Sequence, residues 1–468
     1  MRLYNTLSRS VEDFTPIAPP KVSLYACGPT VYDYTHIGHL RKFVMDDVLI
    51  RVLKHAGYQV KFVRNITDVG ELTSGSDTGE DKLEKGAKKY NKSVWEIAKE
   101  FENYFHKSME LMGNLEPNVS CRATDHIKSQ LALVIELEKK GHTYIIENDG
   151  VYFDTSTLSD YGKLNPQSLD ELQEGGRIGV VEGKRNPTDF ALWKFERPGE
   201  NRAMSWPSPW AERSFPGWHI ECSAMSMEYL GEQIDIHTGG IDHIPVHHTN
   251  EIAQSEAATG KVPFVRYWVH HNFLRVEGEK MSKSLENFYT IDDIVKKGFS
   301  PRALRLLFMG SQYRDELNFT WDSLAAVQKS YDRLGKLVAN WGSKTTENLS
   351  EKAEKLHADF FNYLEDDLKT SQATAILWEM AKSDLSNEEK LSLFRDFDSV
   401  LQLGFDQESE KPDKEAIPEE IERMLTERAT AREMKDWQRA DELRNEILMA
   451  GYKVEDVALG KQTVEPID

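Results

Sequence analysis

The chain has 468 residues, 39% hydrophobic and 29% charged, which is length for about three domains and a globular composition, neither a disordered tail nor a membrane bundle. Lys and Arg total 58 against 78 Asp and Glu; the net charge of −20 argues against broad, non-specific nucleic-acid binding but leaves room for a local basic track. Three cysteines (Cys27, Cys121, Cys222) make no disulfide framework, and no apolar leader or run of ~20 apolar residues is present, so a cytoplasmic protein without a membrane partner is expected.

In chain order, Val22-Ser23-Leu24-Tyr25-Ala26 reads as a strand stopped by Cys27-Gly28-Pro29. Met45, Val48, Leu49, Val52, Leu53 and Ala56 then recur at helical spacing, with Asp46, Asp47, Arg51 and Lys54 on the opposite face. Gly57 stands where a left-handed cap belongs, and Val60-Lys61-Phe62-Val63 resumes as a strand. Such a βαβ unit puts the residues after its first strand at the carboxyl edge of a parallel sheet, where these folds bind ligands.

The polar segment 74–92 reads as a surface loop, and Ile234-Asp235-Ile236-His237 as a returning buried strand. Helical periodicity dominates from 300 to 403. The predicted fold class is α/β: a Rossmann-like parallel-sheet catalytic domain (1–116 and 207–265) split by an insertion (117–206). A stem-contact region (266–315), a helical bundle (316–405), a linker (406–420) and a small C-terminal module (421–468) follow.

Three constellations carry chemistry. His36-Ile37-Gly38-His39 opens the first helix, where backbone donors and the helix dipole favour a phosphate and Gly38 leaves room for a flat base. Lys280-Met281-Ser282-Lys283-Ser284 offers point charges and hydroxyls suited to a polyphosphate. Cys27, Cys222, His247 and Glu251 offer two thiolates, an imidazole and a carboxylate, a donor set that suits Zn²⁺; His243 and His248 are rival ligands nearby.

His-Ile-Gly-His followed by Lys-Met-Ser-Lys-Ser resembles the paired signatures of class I aminoacyl-tRNA synthetases. Over essentially its full length the chain resembles the cysteinyl-tRNA synthetase family, through Tyr25-Ala26-Cys27-Gly28-Pro29-Thr30-Val31-Tyr32-Asp33, Arg64-Asn65-Ile66-Thr67-Asp68, Lys184-Arg185-Asn186-Pro187, Trp206-Pro207-Ser208-Pro209-Trp210, residues 216–225 and Asn250-Glu251-Ile252-Ala253-Gln254-Ser255. The resemblance implies activation of L-cysteine by ATP and transfer to tRNA(Cys) by a monomer, with Mg²⁺ accompanying the ATP. It implies one Zn²⁺ per chain on Cys27, Cys222, His247 and Glu251 that recognises the substrate thiolate, and leaves Cys121 to packing. Thr67 and Trp218 would line the cysteine pocket. His36, His39, Lys280 and Lys283 would be catalytic, and Thr30, Gly38, Gly240, Asp242, Met281, Ser282 and Ser284 would join them around ATP.

Residues 266–314 carry nine Lys or Arg against five Asp or Glu, the sign a tRNA track needs. In the tail, Arg432, Trp437 and Asp441 are expected to meet the anticodon, Trp437 by stacking. The sequence departs from the family at Val69-Gly70-Glu71-Leu72, where Ile-Asp-Asp-Lys is common, at Thr249, where Glu is usual, and at Glu286, where Gly is usual. Two rivals are a ligase that hands activated cysteine to a small amine, which would lack the 421–468 module, and a non-catalytic RNA-binding paralogue, against which the intact signatures weigh.

Overall fold

The computed structural model describes residues 1–73, 77–165, 181–197, 199–281, 287–405, 419–433, 436–450, 452–457 and 461–466. Ser282, Lys283, Ser284, Glu286 and all but the last two residues of the expected linker lie outside them. Two compact units are formed, Met1–Phe405 and Asp406–Asp468.

The first unit begins with the hairpin β1 (Arg2–Asn5) and β2 (Ser10–Asp13), followed by β3 (Lys21–Ala26). Helix α1 (Ile37–His55) buries Leu40, Val44, Val48, Leu49, Val52 and Leu53 and leads to β4 (Gln59–Ile66). Gly57, just past its end, has φ +88°, the left-handed conformation that stops the helix. Helices α2 (Lys82–Tyr90) and α3 (Val94–Met112) precede β5 (Val119–Arg122).

Segment 74–92 is therefore not only a loop. Asp81 caps α2 through the Leu83 and Glu84 amides, and Leu83, Gly86 and Ala87 are buried. The surrounding lysines and glutamates dilute that short apolar stripe, which is why its helical period is hard to read.

The chain continues through α4 (Ile127–Lys139), β6 (Thr143–Ile146), β7 (Gly150–Phe153), β8 (Phe190–Phe195) and β9 (Ser214–Pro216). Helix α5 (Trp218–Leu230), β10 (Ile234–Gly240), α6 (Thr249–Thr259) and β11 (Val265–His271) come next. Five strands make one parallel sheet in the order β11-β10-β3-β4-β5. The order reverses between β3 and β10, so a crevice opens at the carboxyl ends of these neighbours.

The insertion is the antiparallel sheet β6-β7-β8-β9. Its extent differs from the expected 117–206: β5 belongs to the parallel sheet, and β9 extends the antiparallel one past residue 206. A four-residue Val-Ser-Cys-Arg strand at a sheet edge has too little apolar pattern to be seen in sequence.

Past β11 lie β12 (Leu274–Val276), β13 (Glu279–Lys280), α7 (Ile291–Lys296), α8 (Pro301–Met309) and β14 (Leu317–Phe319). The last of these pairs with β12 within the region where helical periodicity dominates the sequence. Helices α9 (Trp321–Asn340), α10 (Glu351–Glu365), α11 (Thr370–Lys382) and α12 (Asn387–Leu401) form the bundle. Its Leu364, Leu377, Phe394 and Phe397 join Val48, Val52 and Leu53 of α1 in one core. The signature helix is thus packed on both sheet and bundle.

The second unit holds α13 (Glu419–Glu433), α14 (Trp437–Met449) and the hairpin β15 (Tyr452–Val457) with β16 (Lys461–Pro466). Its small core includes Ile447 and Val454.

Candidate active site

At the crevice lies a cavity of about 570 Å³. Cys27, Thr30, His36, Gly38, His39, Thr67, Trp218, Cys222, Gly240, Asp242, His247, Lys280 and Met281 all line it. Most come from a strand end or the first turns of a helix. Cys27 follows β3, Gly240 ends β10, and Trp218 and Cys222 sit one turn apart on α5. Gly28 is needed where β3 and β4 converge, because a Cβ there would stand 1.6 Å from the Asn65 carbonyl oxygen.

The cavity floor is a wholly buried cluster. One ligand atom each from Cys27, His247, His248 and Glu251 lies within 4.8 Å of every other. Cys222 is also here, its thiol against the sulfur of Cys27 and the ring of His247. Glu251 lies behind the lining, and a π-type turn at Ile244–His248 carries His247 over it. Gly239 makes the room: a Cβ there would come within 2.3 Å of the His248 ring.

A second layer orients these groups. His237 Nε2 and Glu251 Oε2 are 3.0 Å apart, and His219 Nδ1 meets His247 Nδ1 at 2.9 Å. His248 spans Cys27 Sγ, at 3.3 Å, and His270 Nε2, at 2.7 Å; Thr6 Oγ1 lies 2.7 Å from His270 Nδ1. One tautomer assignment satisfies that last chain: Thr6 donates to His270, His270 to His248, and His248 to the sulfur. Both nitrogens of His248 then face protein partners, and so do those of His247, whose Nδ1 meets His219 and whose Nε2 lies 3.0 Å from Glu251 Oε1. Partners of this kind fix ring orientation around bound cations.

The electrostatics fit a cation as well. Burial opposes ionisation of both His247 and Glu251. The attraction of Glu251 and Cys222 nevertheless lifts the His247 pKa to about 10, and His237 and His247 hold Glu251 at about 2. Burial raises the Cys27 thiol, and Cys27 and burial raise Cys222. Positive charge at this spot is favoured and uncompensated sulfur charge is not, the setting in which a divalent cation displaces protons from its ligands. Glu251 Oε1 is buried without a hydrogen-bond partner.

Toward the mouth, His36 caps α1: its Nδ1 accepts from the amides of Gly38, at 3.1 Å, and His39, at 3.3 Å. These two donors, expected to be free for a phosphate, are taken by the signature itself. The His36 and His39 rings stack at 3.6 Å. Desolvation lowers the His39 pKa to about 4, partly offset by Asp242, although the residue is exposed at the cavity mouth. Lys280 is exposed on β13, and Met281 reaches the Gly38 backbone, so the lysine signature begins beside the histidine one.

Several lining residues were not singled out from the sequence. Lys42 donates to the Cys27 carbonyl oxygen at 2.6 Å and pairs with Asp46 at 2.7 Å. Lys82 binds Glu71, which accepts from Thr30 Oγ1. Leu72 bridges to Asp81, and the Thr73 amide donates to the Glu80 carbonyl oxygen at 2.8 Å. Val69–Leu72 thus leads to a backbone bridge with Asp81, after which Lys82 lines the cavity together with Glu71. Thr249, the second departure, bonds its hydroxyl to the Ile244 carbonyl oxygen at 2.7 Å and secures the π-type turn. Cys121 is buried on β5, its thiol 3.7 Å from the Arg64 carbonyl oxygen.

In the second unit, Trp437 starts α14 and is 57% exposed, so its ring lies outside the small core. The Arg432 guanidinium lies 6.0 Å from its ring, and Asp441 is exposed one turn along.

Residues 13–329 match the family described as the tRNA synthetases class I (C) catalytic domain, and residues 414–464 the cysteinyl-tRNA ligase anticodon binding domain. A cysteine–tRNA ligase of Treponema denticola is 42% identical over 490 aligned positions, covering 99% of each chain. The chain belongs to the cysteinyl-tRNA synthetases. A cysteine–tRNA ligase 1 of Burkholderia lata is 44% identical, covering 99% of this chain and 96% of its own. Among solved structures, the Mycobacterium tuberculosis methionyl-tRNA synthetase in complex with methionyl-adenylate shares the fold, with a TM-score of 0.55 at 13% identity, covering 82% of this chain and 90% of that one. The enzyme is a cysteine–tRNA ligase of the class I, Rossmann-fold type. The relatives match along the tail too, which sets aside a ligase that lacks the anticodon module. Among the described residues, no helix is long and apolar enough to cross a membrane.

Proposed function

We propose that this synthetase selects cysteine through its sulfur. Cys27, Cys222, His247 and Glu251 hold one Zn²⁺ per chain, while His248 steadies Cys27 and His237 steadies Glu251. Bound zinc supplies a Lewis acid that takes a thiolate and leaves a protonated alkyl hydroxyl unheld. Shape and hydrogen bonding alone separate such near-isosteres by only about 10²-fold. Trp218, stacked on His247 at 4.1 Å, and Thr67, hydrogen-bonded to Asn65 at 3.0 Å, shape the amino-acid end of the cavity.

ATP, with its Mg²⁺, lies toward the mouth, against Thr30, His36, Gly38, His39, Gly240, Asp242, Lys280 and Met281. The cysteine carboxylate oxygen attacks the α-phosphorus and the bond to pyrophosphate breaks. A terminal ribose hydroxyl of tRNA(Cys) then attacks the acyl carbon, and AMP leaves. No protein nucleophile is required; alignment and charge stabilisation suffice. His36 Nε2, protonated because Nδ1 accepts the two amides, donates to the phosphate, and neutral His39 stacks beside it. Lys280 and Lys283 meet the charge that builds on the phosphates, flanked by Ser282 and Ser284. Arg432, Trp437 and Asp441 read the anticodon.

One observation supports this assignment: two thiols, an imidazole and a carboxylate are buried at the floor of the same cavity whose mouth holds His36, His39, Lys280 and Met281. Metal analysis of purified protein, paired with cysteine- and serine-dependent pyrophosphate exchange, tests it. About one zinc per chain and loss of selectivity on its removal are expected; metal-free protein of full selectivity refutes it.

A further inference from the structure

The far end of α1 carries a second convergence of metal-binding side chains, well removed in sequence from the His-Ile-Gly-His end. His55 is the last residue of α1, His357 lies on α10 and Asp396 on α12. One ligand atom from each lies within 4.8 Å of the other two, one of two such groups among the described residues. Asp396 Oδ2 accepts a hydrogen bond from His357 Nε2, and His55 Nε2 is 3.9 Å from the same oxygen. Two imidazoles therefore face one carboxylate oxygen with their Nε2 atoms, and at 3.9 Å the second is too far to be hydrogen-bonded to it.

An ordinary ion pair uses one histidine. The second is nonetheless held in place, its ring stacked on Phe361 with centroids 3.5 Å apart and planes within 3°. The three side chains are 27%, 33% and 40% exposed, enough for water to complete a coordination shell. Ligand atoms at about 2.0–2.1 Å from a tetrahedral ion lie about 3.4 Å apart, so small side-chain rotations close the gap. His55 also stands in the last turn of α1, where the carbonyl end of the helix dipole favours positive charge.

We propose that His55, His357 and Asp396 form a second divalent-cation site, an N₂O set of zinc type completed by water. The cation ties the carboxyl end of α1 to two helices of the bundle. Because the amino end of the same helix carries His36 and His39, the clamp fixes where the bundle stands relative to the nucleotide end of the cavity.

The test uses the full-length enzyme, Zn²⁺ alone as probe, and two variants. His55→Asn spares the His357–Asp396 pair, and His357→Asn removes it. After equilibration with micromolar Zn²⁺ and gel filtration, the wild type should retain one more equivalent per chain than either variant. Zn²⁺ should raise its melting temperature more than theirs, and cysteine-dependent pyrophosphate exchange should stay within about twofold in all three. Counting the difference keeps this outcome separate from occupancy of the cavity floor, which both variants leave intact. Equal zinc in wild type and His55→Asn overturns the proposal, as does an extra equivalent that survives both substitutions.

Discussion

Glu251 Oε1 lies 3.0 Å from His247 Nε2 with both side chains at most 1% exposed, yet that oxygen has no hydrogen-bond partner. Glu251 is also the carboxylate that His237 meets, so two buried imidazoles converge on it. Glu251→Gln keeps the size, removes the charge, and strands His247 and His237 without their carboxylate. Zinc content should fall by close to one equivalent per chain. Stability in urea should drop by about 3 kcal/mol, the scale for breaking a buried charged pair. Atomic absorption and equilibrium unfolding read the two effects.

His39 is depressed to about 4 by desolvation, against an unfolded value near 6.5. The unfolded chain therefore binds the extra proton first, and the stabilising effect of a neutral His39 is complete above pH 6.5 and lost as pH falls from 6.5 toward 4. Because the residue is exposed at the cavity mouth, solvent screens this effect, and His39→Asn should flatten the pH dependence of unfolding in that window only slightly. It should also slow pyrophosphate exchange by about 10²-fold, through loss of a positioned group at the phosphates. In the wild type, the pH–rate profile should show no inflexion from this residue between pH 6 and 8.

Lys82, the first residue of α2, carries its charge to Glu71, which also accepts from Thr30. Burial lowers its pKa but Glu71 more than restores it, so the ammonium is present at neutral pH. Lys82→Ala should leave a buried carboxylate unpaired beside the nucleotide, and KM for ATP should rise about tenfold. Glu71→Gln in the same background should recover part of the loss, a coupling that a double-mutant cycle measures.

The exposed Trp437 ring and neighbouring Arg432 belong to the second unit. Trp437→Ala should raise KM for tRNA(Cys) by one to two orders of magnitude, about 1–3 kcal/mol of lost stacking. Pyrophosphate exchange, which needs no tRNA, should be unchanged. Equal loss in both assays would assign Trp437 to folding instead.

Local pattern made much of this legible. The period of Leu40 to Leu53 marks α1, and the alternation of apolar runs with turn residues marks β3, β4 and β10. Both signatures stand in short strings, whereas the four zinc donors are scattered along the chain and are joined only by the family resemblance. What sequence hides is long-range geometry. Nothing in the lysine-rich 80–92 stretch shows that Leu72 folds back on Asp81 and delivers Lys82 to the cavity. The edge strand β5 is too short and polar to display a period. The roles of His219, His237 and His270 are equally invisible, because each acts through a residue from another element. His248 is a rival ligand by spacing, and the structure sets it in the buried cluster with Cys27, His247 and Glu251 while its Nδ1 meets His270.

The most direct measurement is the ratio of cysteine- to serine-dependent pyrophosphate exchange in Cys222→Ser protein, compared with wild type under identical zinc. Sulfur recognition through the buried cluster predicts that cysteine activation falls by at least two orders of magnitude while serine activation barely changes, so the ratio collapses. A ratio that remains at the wild-type value, with activity retained, contradicts the account.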